Sequence, residues 1–325
     1  MHISRRMKAA ESQQVRTRPI IRRLAALIGV LAMLLAALLV LVRPWYLHWG
    51  ATPEEYAGVR PGDELSPGPI NDTRAVDIAA PAARVFAWVS QLGQNRAGFY
   101  SYAALENLVG CRMPDVRHLD PALQQWSLGD RLWMYPPDEL QGMGHATLLR
   151  HDPGRALVFG THTPLDPPGS PPTGLWSFIV EPTGDQSARL LTRGSGGAMP
   201  SLLGRAFTRT IFEPLHFAME RRMLEGIRGL AEGHPISPLA DVLQLMAWAG
   251  TFALFIASGV LVLIGSQLRR HLLAFAAAGV AFQVVTLVQP IPVVSVALVI
   301  GLGMLIWPLS RDRAPAEGAL LKQES

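Results

Sequence analysis

Three ionisable side chains fall on predicted elements where they could act on a bound molecule. Glu106 lies on a predicted helix, Arg193 on a predicted strand and His216 in a long helical segment. A carboxylate or imidazole in apolar surroundings can exchange a proton, and a guanidinium can stabilise developing negative charge. These residues are therefore candidates for a general acid, a general base and an oxyanion partner. The structural alternative for Glu106 is that it is solvated or ties down a loop through Arg96 or Arg112.

Aromatic residues accompany these groups on the same predicted elements. Aromatic side chains dominate the walls of pockets that hold apolar small molecules. The candidate cavity-lining set is Trp88, Tyr100, Tyr102, Glu106, Trp133, Trp176, Arg193 and His216. Ordinary core or interface packing of the rings is the alternative, and the sequence leaves both open.

Other kinds of site find little support in the sequence. Cys111 is the only cysteine, so neither an intrachain disulfide nor a cysteine-based metal site is possible. His145, His151 and His162 match no standard ligand spacing, and Ser195 lacks the strand–turn–helix context of a nucleophile. No cofactor or metal is predicted, and no catalytic residue is assigned. Without a basic stripe or a nucleic-acid motif, we expect no nucleic-acid partner.

Long uncharged stretches lie at both ends of the chain. Charged residues make up 17% of the sequence, whereas an average soluble domain has about 25%. The stretch 24–42 rises about 28 Å as a helix, close to the roughly 30 Å of a hydrocarbon core. It ends in the bulky run Arg43–Trp49, which favours an uncleaved anchor over a signal peptide. Three further transmembrane helices are predicted at 242–265, 272–288 and 292–309.

Basic residues indicate which side of the membrane each segment occupies. Residues 1–23 hold seven basic side chains against the single acid Glu11. Since basic segments stay on the cytoplasmic side, the N-terminus is expected there. Four spans then place Arg269, Arg270 and the tail 310–325 on that same side. The expectation is a multi-pass protein of the cell membrane with residues 43–240 extracytoplasmic and the lipid bilayer as its partner.

The stretch between the anchors has the pattern of an α+β domain. A linker at 43–70 precedes a strand, two helices, several short strands separated by Gly-Pro turns, and a long helix. The predicted strands are Thr73–Ile78, Arg131–Tyr135, His145–Arg150, Ala156–Thr161, Leu175–Val180 and Ala188–Arg193. In the last helix, Ser201–Glu232, apolar residues recur every four positions from Leu203, and Pro214 is expected to kink it.

Several motifs in this stretch resemble a known superfamily. They are the Thr73–Gly93 strand-to-helix opening, the Gly98-Phe99-Tyr100-Ser101-Tyr102 run, Trp176-Ser177-Phe178 and the terminal helix. The chain is similar here to SRPBCC proteins, which include START, polyketide-cyclase-like and Bet v 1-type helix-grip domains. The resemblance covers about half the chain. It implies a curved antiparallel sheet gripping the C-terminal helix around an apolar cavity, and it implies no particular reaction because the fold hosts both carriers and enzymes.

The predicted organisation combines a helix-grip domain at 71–233 with four transmembrane helices. The leading hypothesis is binding of a lipid or other apolar small molecule in the helix-grip cavity. A cyclase- or hydratase-like enzyme is one alternative. The other is a membrane scaffold or sensor without ligand, in which Gly259, Gly279, Gly301 and Gly303 provide close helix contacts. The ligand, partner proteins and oligomeric state are not predicted.

Overall fold

The computed structural model describes residues 2–139, 142, 144–162, 170–196, 199 and 201–311, with side chains from Ile20 onward. The chain divides into two compact units. One comprises Met1–Val40 and Val242–Ser325, and the other comprises Leu41–Asp241.

Four helices of the described chain are long and apolar enough to cross a membrane. The first candidate span, Ile20–Leu47, is built from α1 (His2–Ala37), a π turn (Leu38–Val42) and α2 (Arg43–Leu47). The others are α8 (Pro238–Ile264), α9 (Leu268–Gln283) with the π turn Val284–Val288, and α10 (Pro292–Ser310). Each stretch predicted to span the membrane overlaps one of these helices.

Small residues allow close packing within the helical unit. A Cβ added at Gly279 would lie 2.5 Å from a methyl group of Leu34, and one at Gly259 would lie 3.2 Å from the Phe275 ring. In contrast, a Cβ at Gly301 or Gly303 would meet nothing within 4 Å among the described residues. Two of the four glycines noted in the sequence therefore form close contacts.

The second unit contains a six-stranded antiparallel sheet with the order β1-β6-β5-β4-β3-β2. Its strands are β1 (Ile70–Ile78), β2 (Arg131–Trp133), β3 (His145–Asp152), β4 (Ala156–Thr161), β5 (Gly174–Gly184) and β6 (Ser187–Gly196). All six predicted strands are present. Strands β5 and β6 form a long hairpin, and β6 continues through Gly196, three residues beyond the predicted end at Arg193.

The helices of this unit are α3 (Pro53–Ala57), α4 (Ala82–Val89), α5 (Ala103–Leu108), α6 (Leu202–Phe207) and α7 (Glu213–Glu232). A π turn, Thr208–Phe212, joins α6 to α7. The predicted irregularity near Pro214 is thus a π turn just before it. Pro214 is the second residue of α7 and follows backbone that is already helical at Phe212, so the π turn lies where the missing Pro214 N–H interrupts the helical hydrogen bonds.

One face of the sheet packs against α7 and α4. Val76, Phe178 and Leu190 of the sheet share a buried core with Val85 of α4 and Ile227 of α7. This arrangement of a sheet wrapped on a long C-terminal helix is the helix-grip fold, so the α+β fold prediction is confirmed. Among the described residues, buried side chains of the sheet, α4 and α7 form one packed cluster where the resemblance implied a cavity.

The opposite face of the sheet is covered by the segment that the sequence indicated as a linker. Helix α3 begins with a capping box between Thr52 and Glu55, which explains why a short Pro-Glu-Glu run is helical here. Glu55 also accepts hydrogen bonds from Arg189 on β6 at 2.8 Å. The segment is therefore an ordered strap across the sheet.

Candidate functional site

A buried cluster of charged residues lies where β1 meets α7. Arg74 is 1% exposed and Glu220 is 3% exposed, and their side chains form an ion pair. The Asp72 carboxylate lies 3.4 Å from the Arg74 guanidinium. Because an unpaired charge is very costly in a protein interior, these three groups depend on one another.

Further contacts fix the two buried side chains in place. The indole N–H of Trp176 donates to Glu220 Oε1 at 2.8 Å. The Arg74 Nε–H donates to the Tyr46 carbonyl at 2.9 Å, and the guanidinium lies 5.3 Å from the centre of the Phe217 ring. The cluster therefore connects β1, β5, α7 and the end of α2.

The carboxylates of Asp72 and Glu220 share the guanidinium of Arg74, and the pKa values of the two carboxyl groups shift in opposite directions. Burial raises the pKa of Asp72; the charge of Arg74 opposes this and that of Glu220 adds to it. Burial also acts to raise the pKa of Glu220, but Arg74, His216 and the Trp176 N–H outweigh it, and the pKa lies below its ordinary value. Glu220 is therefore the ionised partner, and Asp72 is the group that takes up a proton first.

A row of four rings, which we term the aromatic edge, lies beside this cluster. It consists of Phe99, Trp176, His216 and Phe212. Ring centres are 6.1 Å apart for Phe99 and Trp176, 5.7 Å for Trp176 and His216, and 5.6 Å for His216 and Phe212. Phe99 is buried, Trp176 and His216 are half-buried, and Phe212 is exposed. The edge therefore leads from the protein interior to its surface.

Three other predicted lining residues lie together nearer the C-terminal half of α7. The Tyr100 hydroxyl donates to the Trp88 carbonyl at 3.3 Å, and burial raises the pKa of Tyr100. Tyr102 lies under the guanidinium of Arg222, 5.7 Å from the ring centre, and burial raises its pKa to about 12. Trp88 and Tyr100 take part in core packing, beside a surface pocket lined partly by Tyr100 and Gly226.

Glu106 lies apart from both groups. Its Oε2 atom is buried without a hydrogen-bond partner among the described residues, and burial raises its pKa to about 7. Arg96 donates instead to the carbonyls of Leu123 and Gln125, and Arg112 pairs with Asp138. The interpretation that Arg96 or Arg112 ties down Glu106 is therefore wrong.

Arg193 lies on the strap side of the sheet and not on the side of α7. Its guanidinium binds Asp63 at 2.7 and 2.9 Å and Thr73 Oγ1 at 2.8 Å. The placement of Arg193 in the cavity is corrected by this geometry: alternate residues of β6 face opposite sides, and Arg193 shares its side with Leu191. Its role in the structure is to hold the strap.

Trp133 lies on the edge strand β2, separated from Trp176 on β5 by β3 and β4. Its ring packs on His145 at 4.9 Å. Of the predicted set, the structure brings together Trp176 with His216, and Trp88 with Tyr100. Among the described residues no hydrogen bond joins Glu106, Arg193 and His216, so they do not form an acid–base group.

Asp72, Arg74 and Glu220 were missed by the reasoning from sequence. A signal was present: Asp72 and Arg74 are spaced so that they share one face of a strand with Val76 and Ile78. Glu220 likewise follows His216 by one helical turn on a helix face that continues into the core. Charged residues in apolar rows predict a buried ion pair only when both rows are known to face each other.

The chain matches no known sequence-family profile and no curated protein. Three solved structures are similar over about half of it. A solution structure from Thermobifida fusca is 18% identical, covers 51% of this chain and 96% of its own, and has a TM-score of 0.32. A crystal structure of a Mesorhizobium loti protein is 14% identical with coverages of 51% and 100% and a TM-score of 0.28.

The third structure is a polyketide-cyclase-like protein from Corynebacterium glutamicum. It is 15% identical, with coverages of 49% and 83% and a TM-score of 0.23. At such TM-scores the fold assignment rests on the chain's own strand order and C-terminal helix. On that basis the unit Leu41–Asp241 has the helix-grip fold that its resemblance to SRPBCC proteins predicts.

Proposed function

We propose that this chain is a multi-pass membrane protein whose helix-grip unit binds an apolar or amphipathic small molecule, such as a lipid, at the aromatic edge. The observation that carries the proposal is the half-buried Trp176–His216 pair, 5.7 Å between ring centres, beside the buried Arg74–Glu220 ion pair. Rings of this kind bind apolar groups, and the adjacent charges can orient a polar end.

The hydrogen bond from Trp176 to Glu220 supports the proposal. It commits the one polar atom of the indole and fixes the orientation of the ring. The half-buried remainder of the ring is then an apolar surface that does not need to rearrange on binding. A preorganised surface of this kind lowers the entropy cost of association.

The packed core supports a position for the ligand at the protein surface. In the described part of the chain, buried side chains of the sheet and α7 pack against one another. We therefore place the apolar part of the ligand along the edge from Phe99 to Phe212, with its polar end toward Asp72 and His216. A ligand enclosed between sheet and helix is not part of this proposal.

The membrane arrangement is part of the same proposal. Four helices can span a bilayer by length and composition. The basic segments at 1–23, 269–270 and 311–313 support cytoplasmic termini, with the helix-grip unit on the extracytoplasmic side of the cell membrane. A reporter fused within residues 43–240 is then active only outside the cytoplasm, and activity in the cytoplasm alone would contradict this topology.

Native lipid content tests the binding proposal. The full-length chain is purified in detergent, and co-purifying apolar molecules are extracted and quantified by mass spectrometry. We expect His216→Ser to lower their amount per protein several-fold, because it removes one ring of the edge. His234→Ser, at an exposed histidine of the same unit, serves as the control. Equal content in all three proteins contradicts the proposal.

A second candidate function is a membrane scaffold or sensor that binds no small molecule. The packed cluster of buried side chains between sheet and helix favours it, because a carrier is expected to enclose its cargo in such a position. An empty full-length protein that binds no fluorescent fatty acid would support this second function over the first.

A further inference from the structure

The helical segment before and into α7 carries a row of exposed apolar side chains. Leu203 is 83% exposed, Phe207 46%, Ile211 48% and Leu215 46%. Their spacing of four residues puts them on one side of the segment. The sequence predicted one apolar series running from this row into the core, but only its later members, such as Ile227, are buried there.

The other side of this segment is cationic. Arg205 and Arg209 are both exposed and are also four residues apart. Each follows a member of the apolar row by two residues, which is roughly 200° around a helix. An apolar row opposite a basic one is typical of helices that lie in a membrane interface.

Contacts at the start of α7 join this segment to the end of the first candidate span. Glu213 accepts hydrogen bonds from Arg43 at 2.7 and 3.0 Å. The Phe217 ring lies 5.6 Å from that of Trp45 and 5.3 Å from that of Tyr46. These three partners belong to α2, the last part of the span Ile20–Leu47.

We propose that the segment from Leu202 to Leu215, the interfacial segment, lies along the bilayer surface. Its apolar row enters the boundary of the acyl chains, and Arg205 and Arg209 bind the phosphates of anionic lipid headgroups. The end of a transmembrane helix lies at the headgroup level, and aromatic residues such as Trp45 favour that level. The segment tied to that end is therefore within reach of lipid, which identifies the bilayer as the occupant of the exposed row.

The interfacial segment continues directly into the aromatic edge through Phe212 and His216. A lipid drawn from the bilayer then reaches the edge without crossing water. The surface position itself is independent of the proposed ligand binding, since it follows from the exposed row and the contacts to α2.

Membrane depth along the segment tests this inference. The full-length chain with Cys111→Ser receives single cysteines at Leu203, Phe207, Ile211 or Leu215, and at Arg205 or Arg209. Each is labelled with a nitroxide in nanodiscs of phosphatidylcholine and phosphatidylglycerol. Labels at Val59 and Leu128, which are 89% and 70% exposed, are the aqueous controls.

We expect the ratio of oxygen to nickel-chelate accessibility to be several-fold higher at the four apolar positions than at both controls, and to fall at the two arginine positions. That alternation supports an interfacial helix. Ratios at Leu203 and Ile211 equal to those at the controls would overturn the inference, even if the aromatic edge binds lipid. The substituted side chains are exposed, so labelling leaves the core intact.

Discussion

Arg74 and Glu220 are the two residues that most constrain the helix-grip unit. Each is almost fully buried; Arg74 is the main charge that stabilises ionised Glu220, and Asp72 and Glu220 together stabilise the charge of Arg74. Removing one charge leaves the other uncompensated in a low-dielectric interior, which costs more than the pair itself contributes. The pair is thus a strong requirement for folding even where its net stabilisation is small.

Substitution of one member of this pair should destabilise the protein severely. We expect Arg74→Met to lower the free energy of unfolding by about 3–5 kcal/mol, because Glu220 and Asp72 are left without a cation. The double substitution Arg74→Met with Glu220→Leu should recover a large part of that loss. Denaturant unfolding of the full chain in detergent measures both. Arg228→Met, on the exposed side of α7, is the control; a single substitution as mild as this control contradicts the argument.

Glu106 should control the reactivity of the only cysteine. Burial raises the pKa of the Cys111 thiol, and the negative charge of Glu106 raises it further. Glu106→Gln removes the charge and keeps the size, so the thiolate fraction rises and iodoacetamide should modify Cys111 several-fold faster at mildly alkaline pH. Glu139→Gln, an exposed acid, should leave the rate unchanged. A rate unaffected by Glu106→Gln would show that the two groups are not coupled.

The same carboxyl has a predictable effect on stability. Burial raises its pKa from 4.5 to about 7, so the folded chain holds the proton more tightly than the unfolded chain does. The stabilisation is fully present below the unfolded value and is lost as the pH rises through the folded one. Thermal unfolding should therefore show the wild type losing stability relative to Glu106→Gln across this interval. A constant difference between the two proteins would contradict the shift.

At the scale of elements, the strap across the sheet depends on Arg193. This guanidinium binds the Asp63 carboxylate and the carbonyl of Gly58, which follows α3, so it contacts the strap at two places. Arg193→Met should release the strap, so that chymotrypsin cleaves the bond after Tyr56 several-fold faster than in the wild type. Arg155→Met, at an exposed turn, is the control. Unchanged cleavage after Tyr56 in Arg193→Met would show that other contacts suffice.

The sequence predicted those elements whose residue pattern fits only one environment, such as a long uncharged helix that fits only a lipid bilayer. Short apolar runs separated by Gly-Pro turns predicted the strands, and long uncharged stretches predicted the four helices. The strap could not be foreseen, because its Pro-Gly-acid composition also fits an exposed linker and its order comes from Arg189 and Arg193, far along the chain. The interfacial segment had the same limit: a row of Leu, Phe and Ile every four residues fits a protein core and a lipid surface equally well.

The candidate site was only partly predictable for a related reason. Trp176 and His216 were identified by residue type, and the structure brings them together. Arg193 was misplaced because a one-residue difference in a strand reverses the side a residue faces. The buried ion pair needed the packing of α7 on β1, which no local pattern contains.

At the scale of the whole molecule, two units share one chain. The helical unit provides candidate spans, and the helix-grip unit provides the aromatic edge and the interfacial segment. The chain order, one span before the helix-grip unit and three after it, keeps both ends of that unit next to apolar helices. This order is the reason we expect its ligand to come from the bilayer.

Photo-crosslinking with a diazirine-bearing fatty acid tests the central claim most directly. The probe is incorporated into the lipids of cells that express the full-length chain, and crosslinked peptides are mapped by mass spectrometry. We expect adducts on peptides containing Phe99, Trp176 or Phe212–His216, in addition to those on the spans, and their loss in His216→Ser but not in His234→Ser. Adducts confined to the candidate spans would contradict ligand binding at the aromatic edge.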